Sequence, residues 1–464
     1  ARGFAAGLDA LGIELGARIA IVSQNSARML IFLFGTSAFG RVGVPINFRL
    51  NKEEVAYIVE HSGAEVLLID PELKEDLAGI NVKHLFVLGE ESDYLFENTN
   101  TPKPWTPDEN ATATINYTSG TTARPKGVEM THRNLWLNAA VFGWQTGVDH
   151  REVYLHTLPM FHCNGWGMPY AITGMGGRHI VLRKVDGLEI LKRIAEHKIT
   201  LLCGAPAVIA SILEAATDWD GEIPGNGTMR IVVAGAPPPT KTIERVETEL
   251  GWEFIQIYGL TETAPFVTMN RTRPEWDDKT AQERAALLSS AGSPALGIDL
   301  STSPDGELLV RGNHVLKSYW KQPGATEQAL TDGWFHTGDG ATLGKDEYVT
   351  ITDRKKDVII SGGENISSIE VEDVLFSHPS VAEVAVIGVP DEKWGETVKA
   401  LVVLTENEST DEQTLISYCR ENLAHYKCPT SVDFLEELAR TTTGKLQKFK
   451  LREPYWKDMK KQIN

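Results

Sequence analysis

The chain has 464 residues, of which 42% are hydrophobic and 23% are charged. These proportions are ordinary for a globular protein and exclude disordered and fibrous classes, and the length favours two or three domains. The formal net charge of −18 argues against a nucleic-acid binder, because such proteins contact phosphates with Lys and Arg. The four dispersed cysteines include no C-x-x-C pair, so we expect reduced thiols, a cytoplasmic location and no zinc site.

No membrane span is expected. The most apolar early segment, residues 29–39, is about half as long as the roughly 20 residues that a transmembrane helix needs. We therefore interpret it as a buried helix.

The first half of the chain alternates short apolar segments with amphipathic ones. Strands are predicted at residues 18–22, 42–46, 66–69, 85–88, 201–203, 231–234 and 254–258. Helices are predicted at residues 29–39, 52–61, 188–197, 208–215 and 240–250. This alternation is typical of an α/β fold with mainly parallel sheets, in which ligand-binding loops follow the strands.

The pattern changes in the second half. Between residues 291 and 353 short strands such as 307–310 alternate with turns, which predicts a small β-subdomain. Beyond it, a capping box at 367–370 opens a helix, followed by strands at 384–389 and 398–404 and a helix near 415–423. We predict an N-terminal domain at 1–353, a charged linker at 354–357 and a separate C-terminal domain at 358–464.

A loop rich in hydroxyl groups follows the predicted strand at 114–117. Its residues are Thr118, Ser119, Gly120, Thr121 and Thr122, and Lys126 comes shortly before a region expected to be helical. Backbone N–H groups and hydroxyls in such a loop can surround phosphate oxygens, and a lysine adds positive charge. It is not the phosphate loop of common nucleoside triphosphatases, whose lysine is followed by Ser or Thr.

Residues 117–128 resemble the phosphate loop of the adenylate-forming superfamily, which contains acyl-CoA synthetases, firefly-type luciferases and adenylation domains of peptide synthetases. Ala123 stands where glycine is usual. The resemblance covers nearly the whole chain. It implies a large N-terminal domain with two α/β subdomains and a small β-barrel-like subdomain, and a small, mobile α+β C-terminal domain.

Further motifs resemble the nucleotide site of this superfamily. Residues 258–263 resemble its second signature, which implies that Tyr258 stacks on adenine, that Thr261 lies near the α-phosphate, and that Glu262 binds Mg²⁺ with help from Thr118. Residues 334–339 and 353–357 resemble the ribose-binding segments and the hinge. The other nucleotide-site and hinge positions implied by the resemblance are Gly235, Ala236, Pro237, Gln256, Gly259, Asp339, Arg354 and the pivot Lys356.

Two C-terminal segments resemble the mobile parts of the catalytic machinery. Residues 441–445 resemble the loop of the catalytic lysine, which implies that Lys445 stabilises the negative charge built up during carboxylate attack on the α-phosphate. Ala439 stands where proline is common. The resemblance also implies that Gly362 and Gly363 line the pantetheine channel after the domain rotates, since glycine leaves room for a narrow arm.

Residues 159–166 are aromatic, contain glycine and carry little charge, as expected for an apolar pocket. The resemblance places His162 beside the acyl group, and Trp166 matches the residue that gates the acyl tunnel of bacterial long-chain enzymes. Gly167 adjoins that position. Aryl-acid and short thioether-acid ligases have similar segments, so the acid remains open.

The sequence thus predicts an acid–thiol ligase that uses ATP, Mg²⁺ and coenzyme A to convert a fatty or other apolar carboxylic acid to its thioester through acyl-AMP. No carrier domain follows Lys445, which favours free coenzyme A. The alternatives are an adenylating enzyme with a carrier-protein thiol as acceptor, an aryl or short thioether-acid ligase, and a nucleotide sensor without chemistry. Analogy with fatty acyl enzymes suggests a homodimer.

Overall fold

The structure is a computed structural model that describes residues 1–89, 91–118, 124–344, 346–353, 357–362, 364–391, 393–441 and 446–457, and the backbone of Arg354. None of the helices in this part of the chain combines the length and apolar character that a transmembrane helix needs.

The strands are, in chain order, β1 Arg18–Val22, β2 Val42–Ile46, β3 Ala64–Ile69, β4 His84–Val87, β5 Thr112–Thr118, β6 Lys126–Thr131, β7 Val153–His156, β8 Arg178–Val181, β9 Leu201–Gly204, β10 Arg230–Val233, β11 Glu253–Gly259, β12 Phe266–Arg271, β13 Ser293–Pro294, β14 Ile298–Thr302, β15 Glu307–Gly312, β16 Ser318–Tyr319, β17 Leu330–Thr331, β18 Trp334–Leu343, β19 Val349–Arg354, β20 Ile359–Ser361, β21 Glu364–Ile366, β22 Val381–Asp391, β23 Gly395–Leu404 and β24 Ser431–Phe434.

The helices are α1 Arg2–Ala10, α2 Ala27–Ser37, α3 Lys52–Ser62, α4 Asp93–Phe96, α5 His132–Thr146, α6 Cys163–Trp166, α7 Met168–Met175, α8 Gly187–His197, α9 Pro206–Thr217, α10 Thr240–Arg245, α11 Ala281–Leu288, α12 Pro323–Ala329, α13 Ser368–Phe376, α14 Glu412–Asn422 and α15 Lys448–Trp456. A π-helical turn, Val246–Leu250, continues α10. Short 3₁₀ turns lie at Pro71–Leu73, Thr261–Thr263, Pro274–Trp276 and His425–Lys427.

Two sheets with parallel centres form the first part of the fold. Their strand orders are β16-β6-β5-β2-β1-β3-β4 and β13-β12-β11-β10-β9-β7-β8. In the first sheet β5, β2, β1, β3 and β4 are parallel neighbours, and in the second β11, β10, β9, β7 and β8 are. The predicted α/β class with mainly parallel sheets is therefore confirmed.

The segment after the phosphate loop differs from the expectation. The chain leaves β5 at Thr118 and returns as β6, antiparallel to it, with Thr118 opposite Lys126. Val128 and Met130 are fully buried on β6, and helix α5 begins only after Thr131, which caps it. The expected helical region is α5, but β6 comes between it and the loop, because these residues complete the sheet between β5 and β16.

Two smaller sheets follow. The third has the order β14-β15-β18-β17 with β19 beside β18, and the fourth has the order β21-β20-β23-β22 with β24 beside β23. The third sheet ends at Arg354 and the fourth begins at Ile359, so the predicted hinge at 354–357 lies between them. Lys356 lies outside the described residues, and the domain limits stay a prediction.

Only one of the two hydrogen bonds of the predicted capping box forms at the start of α13, the helix after the hinge. Ser367 accepts a hydrogen bond from the Glu370 N–H at 3.4 Å, which fixes the first turn of α13. The Glu370 carboxylate contacts the Lys427 ammonium at 2.7 Å instead of closing the predicted capping box. The pair ties α13 to the 3₁₀ turn before β24.

Asp70 connects the first two sheets at the end of β3. Its carboxylate is 1% exposed and accepts hydrogen bonds from Ser23, after β1, and from Arg183, after β8, both at 2.8 Å. Burial raises the pKa of this carboxyl, but hydrogen bonds from Arg183 and Ser23 outweigh it and hold the pKa below its usual value. The charged form of Asp70 therefore stabilises the fold.

Replacing Asp70 by asparagine should lower the free energy of unfolding by about 1–2 kcal/mol at pH 7, because the Arg183 interaction loses its charge. Since the folded pKa is depressed, this contribution should stay constant down to about pH 5. Below the pKa of this carboxyl in the unfolded chain, about 3.9, the contribution should shrink, because the wild-type carboxyl gains a proton. Urea unfolding of both proteins at several pH values measures the difference.

The exposed Asp76 provides the control, because Asp76→Asn removes the same charge without a buried partner network. It should change stability by less than about 0.5 kcal/mol. An Asp70→Asn difference that already vanishes between pH 7 and pH 5 would contradict the assignment.

Candidate active site

The candidate site lies where strands of the second sheet end. Ala234 and Gly235 directly follow β10, and Tyr258 and Gly259 end β11, its parallel neighbour. Gly259 has no room for a side chain, because a Cβ there would fall 1.5 Å from the Pro265 carbonyl oxygen. The turn after β11 thus folds back closely on itself and directs residues 260–263 toward the site.

The predicted adenine and ribose positions lie next to each other. The Tyr258 hydroxyl donates a hydrogen bond to the Asp339 carboxylate at 2.7 Å, and Asp339 is buried on β18. Opposite Asp339, in the antiparallel pair of β18 and β19, lies the backbone of Arg354. Residues separated by about eighty positions in the sequence therefore meet at one edge.

The predicted phosphate and Mg²⁺ positions meet around Tyr319. Its hydroxyl donates a hydrogen bond to Glu262 Oε1 at 3.0 Å, and Lys126 Nζ lies 4.9 Å from the centre of its ring. Burial raises the pKa of the Tyr319 phenol and the Glu262 carboxylate raises it further, so the phenol keeps its proton as a donor. Sequence reasoning missed Tyr319, although an aromatic pair at 319–320 was a visible signal.

Backbone hydrogen bonds fix this arrangement. Leu316 N–H donates to the Glu262 carbonyl at 2.7 Å, and Trp320 N–H donates to the Gly127 carbonyl at 2.7 Å. Between them, β16 pairs with β6. The segment 316–320 therefore holds Glu262 and the strand of Lys126 in register.

Several predicted site residues lie outside the described residues: Ser119, Gly120, Thr121, Thr122, Lys356, Gly363 and Lys445, together with the unusual Ala123. Thr118 is described and is half-buried at the end of β5. Gly362 directly follows β20 of the fourth sheet with a positive φ of 59°, and a Cβ there would approach the Trp394 ring at 2.8 Å.

A small cavity joins the predicted acid segment to the nucleotide segment. It measures about 30 Å³. The residues that line it are His162, Cys163, Trp166, Ala234, Gly235, Ile257, Gly259, Leu260, Thr261 and Pro265.

The cavity brings together His162, Trp166 and Thr261, whereas Gly167 does not line it. A Cβ at Gly167 would fall 2.4 Å from the Asn138 side-chain nitrogen. Gly235 lines the cavity with a φ of 95°, and Ala236 and Pro237 follow it in the turn. Gln256 is buried further back on β11.

A larger cleft of about 350 Å³ lies elsewhere, at the amino ends of β10 and β11. Its charged lining residues have partners: Arg230 contacts Glu152, Glu253 contacts Arg271, and Glu247 contacts Arg284. It lies at the opposite ends of the strands from Tyr258 and Gly235, so it is separate from the candidate site.

The described residues contain no group of three or more His, Cys, Asp or Glu side chains arranged to hold a metal ion. The predicted Mg²⁺ position thus rests on the Glu262 carboxylate, which accepts a hydrogen bond from Tyr319. Mg²⁺ commonly binds in this way, through one or two carboxylates and the phosphates of a nucleotide.

Placing alanine at Gly259 should distort the turn, because its Cβ would overlap backbone rather than a flexible side chain. We expect a loss of about 1–3 kcal/mol in the free energy of unfolding, measured by urea denaturation. Gly324→Ala is the control, since no atom lies within 4 Å of a Cβ on that α12 residue. Equal stabilities of the two variants would show that the turn can relax without cost.

Known proteins match this chain in both sequence and overall fold. The AMP-binding enzyme family matches residues 1–320, and the C-terminal domain of the AMP-binding enzymes matches residues 370–445. Among relatives, the chain is 36% identical to 2-methylpropanoate–CoA ligase CCL4 of Humulus lupulus, and 37% identical to the peroxisomal acetate/butyrate–CoA ligase AAE7 of Arabidopsis thaliana. Both matches cover 97% of this chain and 88% of the relative.

Among solved structures, the o-succinylbenzoate CoA synthetase MenE of Bacillus subtilis, in complex with its acyl-adenylate intermediate, superposes with a TM-score of 0.85 at 30% identity. The match covers 97% of this chain and 91% of that one. It confirms the α/β architecture with a large N-terminal and a small C-terminal domain. With both sequence regions matched and the whole fold shared, this chain belongs to the AMP-binding enzyme family, the adenylate-forming superfamily that its motifs resemble.

Proposed function

We propose that this protein is an AMP-forming acid–CoA ligase whose acid substrate is small and apolar. The observation that carries the proposal is the cavity shared by the acid segment, His162 to Trp166, and by Gly235 and Thr261 of the nucleotide segment. An acyl group in this cavity would have its carboxylate beside Thr261, where the superfamily resemblance places the α-phosphate. The ligase relatives support this reaction class.

The size of the cavity favours a short acid. About 10–15 Å³ of such space holds one water molecule, so 30 Å³ holds only two or three groups of water size and leaves no room for a long acyl chain. Trp166, which is 5% exposed, is part of the wall. We therefore propose an acid of about two to four carbons in place of the fatty acid expected from sequence, in keeping with the acids named for the two plant relatives.

ATP fits the polar residues around the cavity. Tyr258 presents an aromatic ring and Asp339 a carboxylate able to accept hydrogen bonds from ribose hydroxyls. The buried Gln256 Oε1 has no hydrogen-bond partner within the described part of the chain, so it can accept a hydrogen bond from the amino group of adenine. Mg²⁺, held by Glu262 with Thr118 and the phosphates, would neutralise charge on the leaving pyrophosphate.

The reaction then has two steps. The acid carboxylate attacks the α-phosphorus of ATP, the bond to pyrophosphate breaks, and acyl-AMP forms. Lys445 stabilises the negative charge that builds up on the α-phosphate during the attack. The C-terminal domain next rotates about Lys356 and brings Gly362 and Gly363 to the site. The thiol of coenzyme A loses its proton and attacks the acyl carbonyl, and AMP leaves.

The cytoplasmic location and the homodimer are further proposals. The location rests on the four dispersed cysteines, which are all buried, because proteins of reducing compartments keep such thiols reduced. The acetate/butyrate relative is named as peroxisomal, which makes the peroxisome the alternative.

AMP release over a panel of acids tests the proposed function. With ATP, Mg²⁺ and coenzyme A, acetate, propanoate, butanoate and 2-methylpropanoate should give values of kcat/KM at least about tenfold above those for hexanoate, dodecanoate and benzoate. Benzoate as the best substrate would favour an aryl-acid ligase instead. If pyrophosphate exchange depends on the acid but coenzyme A does not stimulate AMP release, the thiol acceptor is a different one. No acid-dependent exchange at all would indicate a nucleotide sensor.

Shortening Trp166 should deepen the cavity. We expect Trp166→Ala to raise kcat/KM for hexanoate relative to propanoate by about tenfold or more, since each added methylene then finds apolar space. Trp144→Ala is the matched control, because Trp144 is 72% exposed on α5. An unchanged ratio in Trp166→Ala would refute the role of Trp166 as the cavity wall.

A further inference from the structure

The segment named α6 above, which carries Trp166, is a left-handed turn and not a right-handed α-helix. Five consecutive residues adopt the left-handed region, with φ values of 46° at Cys163, 51° at Asn164, 59° at Gly165, 60° at Trp166 and 78° at Gly167. Residues other than glycine rarely adopt this region, and asparagine is among those that adopt it most readily. Cys163 and Trp166 are therefore strained, and such strain persists only where the surroundings enforce it.

A buried polar cluster enforces the turn from one side. The Asn164 side-chain nitrogen donates hydrogen bonds to Thr114 Oγ1 at 3.1 Å and to Asn116 Oδ1 at 3.3 Å. Asn164 Oδ1 in turn accepts a hydrogen bond from the Asn116 side chain at 3.1 Å. All three residues are at most 2% exposed. Because buried polar groups are costly unless paired, this cluster specifies one position for the turn.

A second asparagine holds the turn from the other side. Asn138 on α5 donates a hydrogen bond to the Trp166 carbonyl at 3.3 Å and accepts one from the Phe266 N–H at 3.0 Å. The missing side chain of Gly167 leaves the space that Asn138 occupies. The backbone on both sides of the Trp166 side chain is thus tied to neighbouring elements.

The partners of Asn164 are on the strand that leads into the phosphate loop. Thr114 and Asn116 are alternate residues of β5, which ends at Thr118. The Asn164 cluster therefore fixes the turn relative to the ATP site and not merely relative to its own segment. The position of the turn relative to β5 sets how far Trp166 lies from Thr261, and therefore sets the depth of the cavity between them.

We propose that Asn164, held by Asn116 and Thr114, is a positioning residue that selects the acid by fixing how far Trp166 reaches into the cavity. This inference rests on the proposed function for the identity of the cavity. It assigns the choice of acid size to a buried amide pair that does not itself line the cavity.

Two variants separate the amide pair from the backbone conformation. Asn164→Gly keeps a residue that tolerates the left-handed region but removes the side chain, and Asn116→Ala removes the partner and leaves the turn sequence intact. Acid-dependent pyrophosphate exchange is the assay, because it needs no thiol acceptor. Both variants should raise kcat/KM for hexanoate relative to propanoate by about tenfold and raise KM for propanoate, with KM for ATP unchanged within twofold.

Asn270→Ala is the matched control. Asn270 is also fully buried, and its amide contacts the Leu287 and Ser290 carbonyls toward the other end of β12. We expect it to lower the unfolding temperature without changing the acid ratio. If Asn164→Gly and Asn116→Ala likewise lose stability with an unchanged ratio, the cluster has only a structural role and the proposal is wrong.

A readout without catalysis separates this proposal from the proposed function. In protein labelled with 5-fluorotryptophan, the ¹⁹F resonance of Trp166 is assigned by its loss in Trp166→Phe. Asn164→Gly and Asn116→Ala should shift this resonance and make the Trp166 indole ring more accessible to solvent, whereas Asn270→Ala should do neither. A resonance identical to that of the wild type overturns the positioning role, even if the wild type activates no acid on the panel and the proposed function fails.

Discussion

The hydrogen bond between Tyr319 and Glu262 connects three parts of the chain that are distant in sequence. Tyr319 is on β16, which pairs with β6, and Lys126 at the start of β6 lies over its ring. The Tyr319 hydroxyl orients the Glu262 carboxylate, and the Tyr319 ring contacts the Lys126 ammonium. One side chain thus positions both groups that the superfamily resemblance assigns to the nucleotide and its cation.

Close backbone approach is the second constraint on the site. The turn after β11 is possible because Gly259 has no side chain, and the turn before α7 is possible because Gly165 and Gly167 accept positive φ. Both turns border the same small cavity. Their conformations are specified locally by glycine and globally by buried hydrogen bonds, which is the usual way in which strained backbone is maintained at functional sites.

The parallel strands were predictable because continuous apolar, β-branched segments have few other solutions. Residues 18–22 and 42–46, for example, were predicted with the bounds that the structure shows. The strand at Lys126 was not, since it is short, follows a loop directly and carries polar residues among its buried ones, so that its sequence shows no clear strand pattern. The two-residue β16 has no detectable pattern of its own, so the contact of Tyr319 with Glu262 emerges only from tertiary pairing.

The acid segment shows a different limit. Its apolar composition predicted a pocket, and His162 and Trp166 do line a cavity. Its handedness was not predictable from composition, although the Asn-Gly-Trp-Gly sequence contained the residues that tolerate positive φ. The polar residues Asn116 and Asn164 within apolar surroundings were the signal for a buried cluster, but only the fold shows that they face each other.

A contact between α13, the first helix after the predicted hinge, and the first part of the fold bears on the proposed rotation. Asp373 accepts hydrogen bonds from the Thr240 N–H at 2.8 Å and from its hydroxyl at 3.0 Å. Thr240 follows Pro237 by three residues, so this contact adjoins the segment assigned to adenine. Rotation about Lys356 would break both hydrogen bonds, each worth about 1 kcal/mol in net stability because water replaces the lost partner. In the proposed cycle this contact would therefore have to open before Gly362 and Gly363 could reach the site, at a cost small enough for binding of the substrates to offset.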